Sequence, residues 1–120
     1  DGLTLDKDVE AFRARLEDRF GPVPRETEEL LRIVPLRRLA ARLGAEKIFL
    51  KGGRMTLFFV SNRDSPFYQS KAFGKVIDYM MKYTRRCDLR EQNGRRSMLI
   101  KDVTNVETAV SVLQEIVALQ

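Results

Sequence analysis

The first 20 residues carry apolar side chains at helical spacing. The apolar positions recur at intervals of three and four, and they are Val9, Phe12, Leu16 and Phe20. This period places them on one face of a helix, with charged residues around it. Gly21 is typical of a helix C-terminus and Pro22 cannot continue the helix, so we expect a first helix over about 6–20.

A second apolar stripe extends as far as Gly44. Its members are Leu30, Leu31, Val34, Leu39 and Leu43. Pro24 suits the first turn of a helix, and the glutamates that follow it complement the positive end of the helix dipole. Pro35 lies inside the run and removes one backbone donor. We therefore expect a kink at this position, or two short helices that meet there.

Two pairs of short apolar segments each flank a turn signal. Segments 47–51 and 55–60 flank Gly52-Gly53, and segments 87–92 and 95–101 flank Asn93-Gly94. Both dipeptides accept the positive φ angles of a two-residue hairpin turn. The sequence therefore predicts two β-hairpins.

A helix is predicted after each hairpin. The first covers about 67–84, after a polar loop at 61–66. The second follows Thr104, whose spacing to Glu107 matches a capping box of the form Thr-x-x-Glu. Its apolar stripe runs from Val106 to Val117.

This order of elements indicates an α+β fold. Two N-terminal helices precede two hairpin–helix units, and hairpins favour antiparallel pairing. The strands are too few to be covered on both faces, so we predict an antiparallel sheet of about four strands with helices packed on one face. No linker or low-complexity segment divides the chain, and residues 1–120 are expected to form a single domain.

Composition argues against catalysis. The chain contains no histidine, and so it lacks the commonest general base and metal ligand. A phosphate-binding loop of the form Gly-x-x-x-x-Gly-Lys-Ser/Thr is also missing from the sequence. We expect a domain without enzymatic activity that binds no cofactor and no metal.

The single cysteine, Cys87, excludes an internal disulfide and favours a reducing compartment, which we take to be the cytoplasm. At the start of a predicted strand it is expected to be a buried structural residue. No run of about 18 apolar residues is available to span a membrane, and no membrane partner is expected. Because the chain starts at Asp1 without an initiator methionine, we expect it to be part of a longer protein.

Charge is distributed unevenly along the chain. Residues 1–30 contain nine acidic and five basic residues, a net charge of −4, whereas the remaining 90 residues carry +9. The candidate contacts for nucleic acid or an acidic partner are Arg37, Arg38, Arg42, Arg85 and Arg86. A solvated surface is the alternative. Since the strands lack the aromatic-rich pattern of an RNA-recognition sheet, we expect any direct contact with DNA to be weak. The +9 charge of residues 31–120 nevertheless leaves a basic DNA-binding accessory module as the alternative function.

One stretch resembles a known family. Residues 12–24 read Phe-Arg-Ala-Arg-Leu-Glu-Asp-Arg-Phe-Gly-Pro-Val-Pro, followed by Leu30-Leu31 and by a helix that ends in Leu43-Gly44. This pattern resembles the C-terminal (TRCF) domain of bacterial transcription-repair coupling factor (Mfd), and the order of elements extends the resemblance over essentially the whole chain. Within the signature, Phe20 is expected to belong to the core and to anchor the helix end.

The resemblance implies a regulatory role. The full protein of this family is an ATP-dependent DNA translocase that displaces stalled RNA polymerase and recruits nucleotide-excision repair through UvrA, with its motor domains upstream. The terminal domain packs against a UvrB-like N-terminal module of the same protein. There it masks the UvrA-binding surface and restrains the motor.

The resemblance also implies a docking surface on the polar face of the first helix. Asp18 fills the acidic position of the signature, and Arg15 stands where relatives commonly carry an acid. We expect Arg15, Asp18 and Arg19 to dock as a mixed-charge surface. For Arg19 the alternative is a local role, capping carbonyls or pairing with Glu26 or Glu29.

Overall fold

The computed structural model describes residues 2–120, and their side chains from Lys7 onward. Asp1 and the side chain of Asp6, both counted above among the acids of the N-terminal segment, lie outside the described residues. The helices are α1 (Gly2–Phe20), α2 (Arg25–Arg42), a 3-10 turn (Pro66–Gln69), α3 (Lys71–Lys82) and α4 (Val106–Ala118). The strands are β1 (Ala45–Lys51), β2 (Arg54–Phe59), β3 (Cys87–Gln92) and β4 (Arg95–Lys101).

Both predicted hairpins are present and join into one antiparallel sheet. The strand order is β1-β2-β4-β3, so β2 and β4 are central and β1 and β3 form the edges. Gly52 and Gly53 have φ angles of 62° and 75°, and Asn93 and Gly94 have 53° and 76°. These positive angles are what a two-residue hairpin turn requires, and they confirm the two turn predictions.

The core lies between one face of the sheet and the helices. Successive strand residues point to opposite faces, and on β2 the fully buried residues are Met55, Leu57 and Phe59. Met98 and Ile100 of β4 face the same side, because they pair with Leu57 and Met55. The sheet residues join buried side chains from α2, α3 and α4 in one cluster. The predicted α+β fold, with helices on one face of a four-stranded sheet, is confirmed.

Helix α2 runs through Pro35 without dividing into two helices. Leu36 and Ala40, just beyond the proline, are buried in the core, and α2 packs more extensively on α4 than on any other helix. This packing accounts for the continuity of α2, because tertiary contacts offset the hydrogen bond that the proline removes.

The predicted helix over 67–84 is shorter in the structure. A 3-10 turn covers Pro66–Gln69, and α3 begins only at Lys71. Ser65 caps the turn, and the hydroxyl oxygen of Ser70 accepts a hydrogen bond from the Phe73 amide at 3.2 Å. The hydrophobic spacing predicted one helix, but two serine caps five residues apart divide this segment into a 3-10 turn and α3.

Helix α4 begins at a different cap from the one predicted. The Thr104–Glu107 capping box is wrong, because Asn105 occupies the N-cap with an extended backbone, and its Oδ1 accepts from the Thr108 amide at 2.7 Å. The Glu107 carboxylate instead pairs with Arg32 of α2 at 2.9 Å.

Replacing the cap should show which residue performs this role. We expect Asn105→Ala to lower the free energy of unfolding by about 1 kcal/mol, since it leaves an amide at the helix start without its acceptor. Thr104→Ala is the matched control and should change it by less than about 0.5 kcal/mol. Urea unfolding followed by circular dichroism measures both values, and a larger loss for Thr104→Ala would contradict the assignment.

Helix α1 forms an outer layer that packs mainly on α2. Its half-buried positions are Val9, Arg13 and Leu16, while Phe12 is 46% exposed. The expectation that Phe20 belongs to the core is wrong, because 74% of this residue is exposed. Since α1 packs mainly on a single helix, its buried stripe is narrower than its apolar stripe, and the last member of the apolar stripe stays outside the contact.

Candidate protein-docking site

The outer face of α1 presents charged residues to solvent. Arg15, Asp18 and Arg19 are all exposed. Their orientation follows from the contact of the opposite face of α1 with α2. On that face the Arg13 guanidinium lies 2.8 Å from a carboxylate oxygen of Glu28 on α2, and it also pairs with Glu10. The hydrogen bond to Glu10, helped by the charges of both carboxylates, raises the pKa of Arg13 despite its partial burial. Helix α1 is thus attached to α2 by a permanently charged arginine as well as by apolar contact.

Two arginines of this face lie against exposed aromatic rings. The Arg19 guanidinium is 5.6 Å from the ring centroid of Phe20, and that of Arg15 is 5.9 Å from the ring centroid of Phe12. Such contacts contribute about 0.5–1 kcal/mol at exposed sites. Among the described residues, Arg19 forms no ion pair with Glu26 or Glu29, so the local pairing that we considered for it does not occur.

Asp18 also has no ion pair within the part of the chain that the structure describes. An exposed carboxylate stays hydrated until a partner approaches. The three residues that the sequence indicated for docking therefore lie together on one solvent-facing surface, and none of them forms an ion pair with a side chain described from Lys7 onward.

An apolar cleft lies next to these charges. It has a volume of about 250 Å³ and is formed where the chain reverses between α1 and α2, with Leu16, Phe20, Val23 and Pro24 among its lining residues. Gly21 makes the reversal possible with a φ of 84°, and its amide donates to the Glu17 carbonyl at 2.9 Å. The hydrophobic spacing did not predict this cleft, because the sequence analysis assigned Phe20 to the core. The Gly-Pro-x-Pro turn that follows Phe20 was the sequence feature that could have indicated it.

The arginines considered for nucleic acid do not form one surface. Arg37, Arg38 and Arg42 are exposed on α2, which packs against the edge strand β1. Arg85 and Arg86 directly precede β3, which is the opposite edge of the sheet.

Arg86 has a structural role in the fold. Its guanidinium donates to the carbonyls of Lys101 and Asp102 at 2.8 and 3.2 Å, and to the Tyr79 hydroxyl at 3.1 Å. These bonds hold the segment before β3 against the end of β4 and the buried end of α3. Arg85 next to it is exposed.

No reactive centre is evident in the described residues. Cys87 is 5% exposed and unpaired, and its burial raises the pKa of the thiol, which therefore stays protonated at neutral pH. Among the side chains that the structure describes, Lys7 to Gln120, no cluster of three acidic or cysteine residues is placed to hold a metal ion. The helices of the same range are too short or too polar to cross a membrane.

The comparisons with known proteins agree with the sequence pattern. The family model of the TRCF domain matches residues 1–70, which is more than half of the chain. The matched part contains α1, α2, the first hairpin and the 3-10 turn, whereas α3, the second hairpin and α4 follow it. None of the curated proteins and none of the solved structures gives a significant match.

The matched residues coincide with the surface described above. They include the exposed face of α1, the turn at Gly21 and the cleft beside it, and they end beyond the hairpin whose β2 pairs with β4. On this evidence the chain belongs to the TRCF domain family, a domain of transcription-repair coupling factor that connects it with transcription-coupled DNA repair.

Proposed function

We propose that this chain is a non-catalytic regulatory domain that docks, through the outer face of α1, on the UvrB-like N-terminal module of its own coupling factor. In the docked state it masks the UvrA-binding surface and restrains the motor. The cytoplasm is the compartment that this role requires. UvrA and RNA polymerase are then indirect partners, reached through the parent protein.

The observation that carries the proposal is the exposed group at the end of α1. Asp18 and Arg19 are solvated charges without an ion partner in the described residues, and Phe20 next to them is 74% exposed beside an apolar cleft. Charged groups around a large exposed aromatic residue are typical of a protein interface, in which the aromatic anchor is buried and the charges select the partner.

The strength of such a contact suits a switch. Each exposed ion pair contributes only about 0–1 kcal/mol. Burial of one phenylalanine side chain adds about 1.5–3 kcal/mol. A few contacts of this size hold a tethered domain in place, and competition by another protein can still displace it, as release of autoinhibition requires.

Reversing the charge at Asp18 tests the proposal. We expect Asp18→Arg to weaken binding to the UvrB-like module about tenfold or more at low salt, because an attraction to a basic surface becomes a repulsion. Isothermal titration of the separate module with the 120-residue chain measures the affinity. Unfolding curves of the two chains should coincide, since Asp18 is exposed and unpaired within the described residues.

Asp78→Arg provides the matched control. Asp78 is exposed on α3, and its reversal changes the net charge of the chain by the same amount. This control should bind as the unmodified chain does. Equal affinity of the Asp18→Arg chain, or equal weakening by both reversals, would count against docking through α1.

A further inference from the structure

The face of the sheet that points away from the helices is open, and we call it the outer sheet face. Alternation along the strands defines it, because Met55, Leu57 and Phe59 of β2 point into the core and the residues between them point outward. The first row across the strands is Lys51–Arg54–Lys101, and the next is Phe49–Thr56–Leu99. No helix packs on this face within the described part of the chain.

The first row places three positive charges directly opposite one another. Arg54 pairs in register with Lys51 on one side and with Lys101 on the other, and all three are exposed. Like charges opposite each other destabilise a sheet. Among the side chains of residues 7–120 none of the three has an ion-pair partner. This arrangement is unfavourable for the isolated domain and becomes favourable when an anion lies across it.

The rows behind these cations carry two aromatic rings, exposed Phe49 and half-buried Phe58. Phe49 is 56% exposed, and its ring meets that of Phe58 edge to face at a centroid distance of 5.6 Å. Phe49 lies two residues from Lys51 on the same strand, a distance of about 7 Å. Half-buried Leu99 extends the apolar area across β4. The outer sheet face thus combines a row of cations, which can contact phosphate groups, with aromatic side chains beside it.

The acidic side chains on the four strands all pair with arginines, whereas Asp102, directly after β4, has no ion pair among the described residues. Glu46 pairs with Arg95 at 2.8 Å, and Asp88 pairs with Arg90 at 3.4 Å. Arg37 and Lys47 line a cleft of about 470 Å³ that reaches Phe49 around the edge strand β1. The unpaired charge of the strands on this surface is therefore positive, and the cleft extends it from the sheet to α2.

We propose that the outer sheet face binds single-stranded DNA. Cations would contact phosphates and Phe49 would stack on a base, which is the combination that binds single strands without sequence preference. A duplex keeps its bases stacked inside, where an aromatic side chain on a flat sheet cannot reach them. DNA rather than RNA is the proposed strand because the chain belongs to a domain family of a DNA-repair factor.

This surface differs from the arginine clusters that charge alone had indicated. The sequence showed no aromatic-rich strand, since β1 and β2 contribute one phenylalanine each to the outer sheet face. Only pairing of the strands brings the rings together. The proposal is also independent of docking through α1, because α1 lies on α2 and contributes no residue to this face.

Fluorescence anisotropy with a labelled oligo(dT) of about 12 nucleotides tests the proposal at about 50 mM salt. We expect the affinity of the triple variant Lys51→Gln/Arg54→Gln/Lys101→Gln for the oligonucleotide to be lower by about tenfold or more. The slope of log affinity against log salt should fall by about 2, or about 0.7 for each lost phosphate contact. Phe49→Ala should also lower the affinity about tenfold, but it should leave the salt dependence of the affinity unchanged, because stacking releases no counterions.

The control is a second triple variant that removes the same charge elsewhere, Lys7→Gln/Arg25→Gln/Lys71→Gln, and it should bind within twofold of the unmodified chain. The absence of saturable binding by the unmodified chain would overturn the proposal, and so would equal losses in both triple variants. A duplex of equal length that binds as tightly would exclude the stacking role. Tighter binding of oligo(U) would overturn the assignment to DNA.

Discussion

Phe59→Ala is expected to lower the free energy of unfolding by about 3–5 kcal/mol, the range for truncating a buried aromatic residue. Phe59 is completely buried, and its ring lies 6.0 Å from that of Phe67 and 5.8 Å from that of Phe73. These rings connect β2 to the 3-10 turn and to α3. Because a domain of this kind has about 5–15 kcal/mol of stability in total, the loss is a large share of it.

Phe20→Ala is the control for this substitution. The same atoms are removed, but the residue is 74% exposed, and the free energy of unfolding should change by no more than about 1 kcal/mol, the contribution of the Arg19 contact with the ring. Urea unfolding monitored by circular dichroism gives both values. Equal losses would show that Phe20 is buried in solution, and would contradict the docking surface as well as the description of the core.

Gly44→Ala is expected to lower the free energy of unfolding by about 2–5 kcal/mol, for two reasons that add. Gly44 has a φ of 77°, in the left-handed region that costs any other residue about 1–2 kcal/mol. A Cβ atom at this position would also overlap the ring of Phe67. Relief of that overlap requires the aromatic cluster around Phe59 to move, and overpacking of this kind costs about 1–3 kcal/mol.

Gly94→Ala separates the two contributions. Gly94 has a φ of 76°, but a Cβ atom there would meet no other atom within 4 Å. We expect this control to lose only the conformational part, about 1–2 kcal/mol. Thermal or urea unfolding of both variants measures the difference, and a Gly94→Ala loss as large as that of Gly44→Ala would exclude the contact with Phe67 as the cause.

Local features of this chain could be predicted from its sequence. The two hairpins depend on Gly52-Gly53 and Asn93-Gly94, whose backbone preferences act within four residues. The end of α1 depends on Gly21 in the same way. The family signature is local as well, since residues 12–24 form one helix end and one turn.

The continuity of α2 and the exposure of Phe20 depend on packing against other parts of the chain, whereas the cap of α4 depends on local backbone conformation. Pro35 was expected to kink α2 or to divide it into two short helices, and the packing on α4 keeps α2 undivided. Phe20 completes an apolar stripe, but α1 has too few neighbours to bury the whole stripe. Thr104 and Asn105 are both good caps, and the backbone conformation selected Asn105.

The sequence by itself determined the elements, the turn positions, the α+β class and the charged face of α1, because spacing and turn chemistry act over a few residues. Only the tertiary structure decided which surfaces remain open. The row Lys51–Arg54–Lys101 and the neighbouring phenylalanines come from strands distant in sequence, and strand pairing makes them neighbours. Whether a residue is exposed depends on what packs over it, and that is a property of the whole fold.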